Sequence, residues 1–240
     1  VKTGLCRSKY VVAVSSYTKS EILRYYGEQF QNKIQVIHEG WEHLLDNQED
    51  KQTKINIHFQ EYLLYVGSSR GHKNLSRLIL AMQQCANSLP NNVGLVIVGN
   101  QRMFTKNQLQ MIENINSERE VVHLTGWVND NDLAYYFKHA KALIFPSLCE
   151  GFGIPILEAY FHKIPLLLSN RSSLPEVAGD AAIYFDPTNI NEIANTISQF
   201  AQTNNHTELI EKQNQRLTLY SWHKTATEIL NIISSIWDTK

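Results

Sequence analysis

Glu150 and Glu158 are separated by seven residues, Gly-Phe-Gly-Ile-Pro-Ile-Leu. An apolar run that reads as a buried strand, Ala142-Leu-Ile-Phe-Pro146, precedes them, and Ile156 to His162 reads as the start of a helix. This is strand, loop, helix N-terminus, with a carboxylate at each end of the turn. Gly151 and Gly153 allow backbone conformations closed to other residues and a close approach to a ligand. Pro155 suits the first helical position, where its missing N–H costs nothing. The neighbouring amides then point out of the helix end, where the dipole favours an anion such as phosphate. Phosphate repels carboxylates, so both glutamates are better suited to accept hydrogen bonds from hydroxyls. A sugar on one side of a diphosphate and a ribose on the other would supply them.

A second segment carries the complementary charge. Gly67-Ser-Ser-Arg-Gly-His-Lys-Asn-Leu75 follows the apolar run Leu63-Leu-Tyr-Val66. In it Lys73 offers a point charge and Arg70 a two-pronged clamp for phosphate oxygens. The order of residues is neither that of a Walker loop nor that of a dinucleotide fingerprint. Elsewhere the chemistry is sparse. His38-Glu-Gly-Trp-Glu-His43 lacks the helical spacing of a metal pair, so no metal is expected. The nine histidines form no triad, and His123 and His162 read as structural. Cys6, Cys85 and Cys149 are odd in number and form no C-x-x-C pair. A reducing, cytoplasmic setting fits them best, with Cys149 a small apolar residue near the pocket wall rather than a nucleophile.

The elements that must hold these groups alternate in type. Strands are expected at Tyr10–Val14, Lys33–Ile37, Leu63–Val66, Gly94–Val98, Val121–Thr125, Ala142–Phe145, Ile164–Leu168 and Ala181–Phe185. Helical spacing appears from Ser15 to a stop at Gly27, over Leu75–Asn87, Gln108–Asn116, 130–139 (with Asp130 as cap), Ile190–Phe200, Leu209–Leu219 and Trp222–Trp237. Asp46 to His58 is polar and reads as an exposed loop. Continuous apolar strands between helices give an α/β class, a doubly wound, Rossmann-like parallel sheet with ligands at the strands' carboxyl ends.

With 240 residues, 43% hydrophobic, 19% charged and a net charge of −1, the chain is globular and carries no global field toward nucleic acid or acidic membranes. No apolar run reaches the roughly 18 residues that span a bilayer. The chain opens on Val without a leader, so a fragment or processed chain is expected.

Glu150-Gly-Phe-Gly-Ile-Pro-Ile-Leu-Glu158 resembles the glutamate, seven residues, glutamate signature of retaining family-4 glycosyltransferases, which have the GT-B fold. Tyr65-Val-Gly-Ser-Ser-Arg-Gly-His-Lys-Asn-Leu75 is similar to their donor-phosphate loop, closest to mannosyltransferase-like members. Many members carry the loop arginine directly after the strand glycine, where this chain has Ser68, so the role falls to Arg70. Gly126-Trp-Val128 matches their base-holding loop, and Ser169 to Asp180 the segment after the next strand, in which Glu176 reads as structural. Val14-Ser-Ser-Tyr-Thr-Lys-Ser20 and Val36-Ile-His-Glu-Gly40 match the end of the family's N-terminal domain.

The resemblance implies three parts. Residues 1–40 are a strand-helix-strand remnant of the acceptor domain. Residues 41–221 are the C-terminal nucleotide-sugar-binding half. Residues 222–240 are a terminal helix that packs back toward the N-terminal domain. It also implies roles: donor phosphate on Gly67, Ser68, Arg70, Lys73, Ile156 and Leu157; sugar on Glu150, Phe152, Gly153 and Ile154; ribose on Glu158; base on Trp127 or Val128. Glu150, Arg70 and Lys73 form the catalytic set, with no metal and no cofactor. The donor is a GDP- or UDP-sugar, and the His-Lys-Asn loop points to GDP-mannose. The acceptor is a glycan or lipid-linked saccharide of polysaccharide biosynthesis, reached through the missing domain. Peripheral membrane association of the full-length enzyme follows from such an acceptor, and self-association from the sheet edge that truncated opening strands expose. The fragment alone is expected to be inactive. Two rival classes stay open: a non-catalytic nucleotide-sugar-binding domain, and a GT-B-type epimerase or phosphorylase, although no pyridoxal-phosphate lysine motif is found.

Overall fold

Strand β3 (Glu61–Val66) lies at the middle of a six-stranded parallel sheet, between β4 (Val93–Val98) and β6 (Ala142–Phe145). The sheet order is β5-β4-β3-β6-β7-β8, with β5 at Val122–Gly126, β7 at Leu166–Ser169 and β8 at Ile183–Phe185. The chain winds outward from β3 through β4 to β5, then returns to β6 and winds the other way. The reversal puts the carboxyl ends of β3 and β6 side by side, and ligands of open α/β sheets bind at such a crevice. The computed structural model describes residues 2–47, 57–90, 92–203 and 205–237. Most of the polar loop expected at 46–58 lies outside them.

The strands alternate between the two faces of the sheet. Leu63, Tyr65, Leu95, Ile97, Ile144 and Leu167 point to one core, shared with helices α3 (Leu75–Cys85), α4 (Lys106–Ile115) and α8 (Ile190–Ala201). Tyr62, Leu64, Val96, Leu143, Phe145, Leu166 and Leu168 point to the other. There they meet α5 (Asp130–His139), α6 (Ile154–Phe161) and α7 (Leu174–Ala178), with α9 (Thr207–Leu217) at the rim. Burial on both faces explains why these strands read as unbroken apolar runs. Each fully buried Leu, Ile or Phe contributes roughly 1.5–3 kcal/mol.

A separate parallel pair, β1 (Val11–Ala13) and β2 (Ile34–Val36), packs with α1 (Lys2–Arg7) and α2 (Ser16–Tyr26) around Leu5, Ala13, Phe30 and Ile34. Gly27 ends α2 at φ 105°, as its position predicts. Two short helices, α1 and α7, had no apolar periodicity long enough to announce them. The cap of α5 is Asn129, whose side chain accepts from the Asp132 amide at 3.0 Å, and not Asp130. Either residue can cap, and only the backbone at 129 is extended.

The last helix, α10 (Trp222–Trp237), begins against the crossing between the two units. Glu42 accepts from the Trp222 amide at 2.8 Å and from the Ser221 hydroxyl. Thr225 Oγ1 donates to the His38 carbonyl at 2.6 Å. Gly40 lies so close beneath the Trp222 amide that a Cβ there would collide with backbone. Beyond that first turn no side chain of α10 is buried, and Leu230, Ile233 and Trp237 on its apolar stripe are exposed. Gly40→Ala should therefore unseat the start of α10 and lower stability by about 1–3 kcal/mol, the range of overpacking. Urea unfolding followed by tryptophan fluorescence checks this; an unchanged midpoint refutes it.

Candidate active site

The two loops singled out from sequence meet at the β3–β6 switch point. After Gly67 the chain makes one turn of 3-10 helix (Gly71–Lys73) and enters α3 through Asn74, which is left-handed at φ 60°. Asn is among the residues that tolerate this conformation. The buried Asn74 amide donates to the carbonyls of Pro146 (3.0 Å) and Pro187 (2.7 Å), tying the β3 loop to the ends of β6 and β8. The Leu148 amide donates to the His72 carbonyl at 2.7 Å. Lys73 Nζ then lies 2.8 Å from Glu150 Oε1 and 5.3 Å from the centre of the Phe145 ring. Both side chains are mostly but not fully buried, 20% and 13% exposed, so the pair stands at the wall of a cleft. The cation expected to face phosphate is thus held by the carboxylate expected to face sugar.

The loop from Glu150 to Ile154 is shaped by hydroxyls. Ser172 Oγ accepts from the Glu150 amide at 3.0 Å, and Ser173 Oγ lies 3.0 Å from both the Glu150 and Phe152 carbonyls. Ser15 Oγ and Thr18 Oγ1, from the first unit, reach the Gly151 carbonyl at 2.6 and 2.9 Å. Gly153 caps α6 at φ 110°, and a Cβ there would press on Leu174. Pro155 is the second helical residue, not the first. Among the described residues the amides of Phe152, Gly153 and Ile154 donate to no protein acceptor. The Ile156 amide, expected to face phosphate, donates instead to the Gly153 carbonyl at 2.9 Å, because the first turn of α6 closes on its own cap. Leu157 stands deeper still in the helix, fully buried.

Arg70 does not join Lys73. It is exposed, its side chain forms no hydrogen bond or ion pair among the described residues, and it lines a hollow with Arg77, Gln108 and Ile190 on the α3 side. Arg70 precedes the 3-10 turn with an extended backbone, φ −58° and ψ 146°, so its side chain does not follow the face that carries Lys73. Gly67-Ser-Ser-Arg-Gly71 also spells G-x-S-x-G, the pattern of a hydrolase elbow. Ser69 is buried with its hydroxyl donating to the Met103 carbonyl, and no histidine bonds it, so no nucleophile forms there.

Glu158 sits one turn into α6 and faces a cavity of about 130 Å³ walled by Leu44, Leu133, Ala134 and Phe137, with His43, Asp130 and His162 around it. Burial, with a smaller contribution from the Asp130 charge, pushes its carboxyl up to about 7. Burial, and then the Lys138 charge, push the His162 imidazole down to about 4. Val128 packs partly buried on the neighbouring core, whereas Trp127 is 77% exposed and belongs to no core. Glu176 is indeed in a structural position. Its carboxylate accepts from the Ser16 (2.8 Å) and Tyr17 (3.0 Å) amides at the start of α2 and meets His38 Nε2 at 3.1 Å. Burial works to raise its titration, but those bonds outweigh it and hold the carboxyl below its usual range. No three His, Cys, Asp or Glu side chains are grouped to hold a metal among the described residues.

Residues 46–217 match the family model of glycosyl transferases group 1. The chain belongs to that family. It is 32% identical to O-antigen chain mannosyltransferase B of Escherichia coli over 179 residues, covering 74% of this chain and 47% of that protein. It is 28% identical to O-antigen chain mannosyltransferase RfbU of Salmonella typhimurium, covering 92% and 61%. The fold matches the crystal structure of Anabaena Alr3699/HepE in complex with UDP and glucose, with a TM-score of 0.76 at 18% identity over 97% of this chain and 64% of that one. The architecture is that of GT-B glycosyltransferases. The chain thus spans about half to three-fifths of the length of these two mannosyltransferase relatives.

Sequence motifs had given roles to Lys73, Glu150 and Glu158; Asn74, Ser15, Thr18, Ser172 and Ser173 lie in matched segments but had none at the site. Of these, Asn74 had a local signal as a turn-prone residue directly before a helix, and Ser15 one as a hydroxyl cap at a helix start. The opposed shifts of Glu158 and His162 have a measurable consequence. Between their folded and unfolded values the folded protein holds the Glu158 proton and stability falls as pH rises, whereas His162 is neutral when folded and stability rises. Glu158→Gln removes only the first, so the melting temperature of the variant relative to the parent should climb from pH 5 to pH 7.5. A difference that stays constant across that range would show that Glu158 titrates normally.

Proposed function

We propose that this chain is the donor-binding portion of a retaining glycosyltransferase that moves a hexose, mannose by the names of its relatives, from a nucleotide-diphosphate sugar to a growing glycan or lipid-linked acceptor. The observation that carries the reading is the convergence of Lys73, Glu150 and the unpaired amides of 152–154 at the switch point of the sheet. A cation and a row of amides suit a diphosphate, and a carboxylate suits the hydroxyls of the sugar attached to it.

In this reading the bond from the anomeric carbon to the diphosphate oxygen stretches first, and charge builds on that oxygen. Lys73 and the amides stabilise it without reorganising, which is electrostatic preorganisation. The acceptor oxygen then bonds the anomeric carbon on the same face, and its proton passes to the leaving phosphate. Glu150 holds the sugar hydroxyls once Lys73 has turned from it to the phosphate. Glu158 takes the ribose hydroxyls and Val128 or Trp127 the base. Arg70, exposed and mobile by its side-chain length, closes on the phosphate only by swinging over the turn. The donor nucleotide is GDP or UDP, and the protein's own cations face the phosphates in place of a metal. Residues 1–40 supply the edge of the acceptor domain, 41–221 the donor half and 222–240 the strap between them. In this reading the chain works on the cytoplasmic side, where a lipid-linked acceptor would be met at a membrane surface; no helix among the described residues is long and apolar enough to cross a membrane.

Lys73→Ala and Glu158→Ala should each weaken GDP or UDP binding by about 1–3 kcal/mol, the scale for a lost charge-assisted hydrogen bond. Titration calorimetry decides it: affinities equal to the parent's in both variants would remove the site. The isolated chain should bind nucleotide yet transfer little sugar, and efficient turnover by it would contradict the assignment of the acceptor to the missing part.

A further inference from the structure

We propose that Ser15, Thr18 and Ser173 are positioning residues for the donor diphosphate: their hydroxyls fix three successive carbonyls and so aim the three amides that follow. The proposal deepens the donor reading and rests on it.

A peptide unit is planar and trans, so the carbonyl of one residue and the amide of the next point in opposite directions. Whatever holds the carbonyl therefore aims the amide. The Glu150 and Phe152 carbonyls share the single proton of Ser173 Oγ, and the Gly151 carbonyl accepts from Ser15 Oγ and Thr18 Oγ1. The amides that oppose these carbonyls are those of Gly151, Phe152 and Gly153, none of which has a protein acceptor among the described residues. Two glycines in this stretch leave the backbone free to turn, and Gly151 is exposed, so nothing in the loop's own packing fixes that middle peptide. A loop free to rotate would have to be ordered by the ligand, at the expense of affinity; one already clamped does not.

The clamp comes from two sides. Ser173 belongs to the loop after β7, within the same sheet. Ser15 and Thr18 belong to the first unit, 136 and 133 residues away in sequence. Ser15 Oγ also accepts from the Thr18 amide at 3.0 Å, so one side chain caps α2 and touches the loop. Glu176 seats the same turn of α2 from below through Ser16 and Tyr17. The first unit therefore shapes the donor side of the cleft, a role distinct from presenting an acceptor.

The alternative is that these hydroxyls only join the two units. The test uses this chain, GDP and UDP as probes, titration calorimetry, and the amide resonances of Phe152 and Gly153. Ser15→Ala with Thr18→Val, and separately Ser173→Ala, should each weaken binding of the preferred nucleotide about tenfold, the scale for losing the alignment of one or two hydrogen bonds to a charged group. The two resonances should shift in the free variant, and the melting temperature should stay well above that of the assay. Ser15→Thr with Thr18→Ser keeps both hydroxyls and should bind as the parent does. If the double variant does not fold, Ser173→Ala, which leaves the α2 cap untouched, decides alone. Parental affinity in the folded hydroxyl-deleted variants overturns the proposal and leaves the donor reading standing, as does an equal loss in the hydroxyl-preserving pair. Absence of binding by the parent to either nucleotide overturns both.

Discussion

Strands β3 and β6 are neighbours in the sheet, and every chemical group of interest depends on that adjacency. It brings Lys73 within 2.8 Å of Glu150 across 77 residues of sequence. Two opposite charges at a cleft wall stabilise one another only modestly while water reaches them. The pair is held where it is by firmer ties around it: the buried Asn74 amide on Pro146 and Pro187, and the Leu148 amide on the His72 carbonyl. Those bonds, two from the Asn74 side chain and one from the backbone, frame the switch point, and the charged side chains are mounted on it.

The frame has one deliberately unfinished edge. From Phe152 to Ile154 the amides find no acceptor in the protein, although the carbonyls nearby are well supplied with hydroxyl donors. Backbone N–H groups left unpaired cost free energy when dry, so a row of them at a helix start marks a place for an anion or water. Glu158, on the next turn, lies in a different environment. Burial, with the Asp130 charge nearby, pushes its carboxyl up to about 7, so a ligand hydroxyl meets a group poised between donor and acceptor.

The first unit and the main sheet are joined by directed polar contacts, alongside Val14 packing on the second core and the His38 ring lying against Phe152 and Tyr220. Glu176 and His38 meet at α2, Glu42 caps α10, and Thr225 holds the His38 carbonyl. Such a junction is directional, and through Ser15 and Thr18 it reaches the Gly151 carbonyl. Leu230, Ile233 and Trp237 on α10 are exposed, and among the described residues β1 and β2 pair only with each other.

Local sequence was enough for the alternation of strands and helices, because residues buried on both faces must be apolar whatever they touch, and for the two loops, because glycine, proline and the charged residues there have intrinsic preferences. It was also enough to mark Lys73, Glu150 and Glu158 as groups able to do chemistry. It could not say that Lys73 would close on Glu150 while Arg70 turned to the α3 side, that Asn74 would bind two strand ends, that Trp127 would stand in solvent, or that Ser15 and Thr18 would reach the loop. Those outcomes depend on which strands become neighbours and on the direction of a single turn, and neither is encoded within a few residues. Spacing along the chain decides what a segment can form; only the order of strands in the sheet decides which segments face each other.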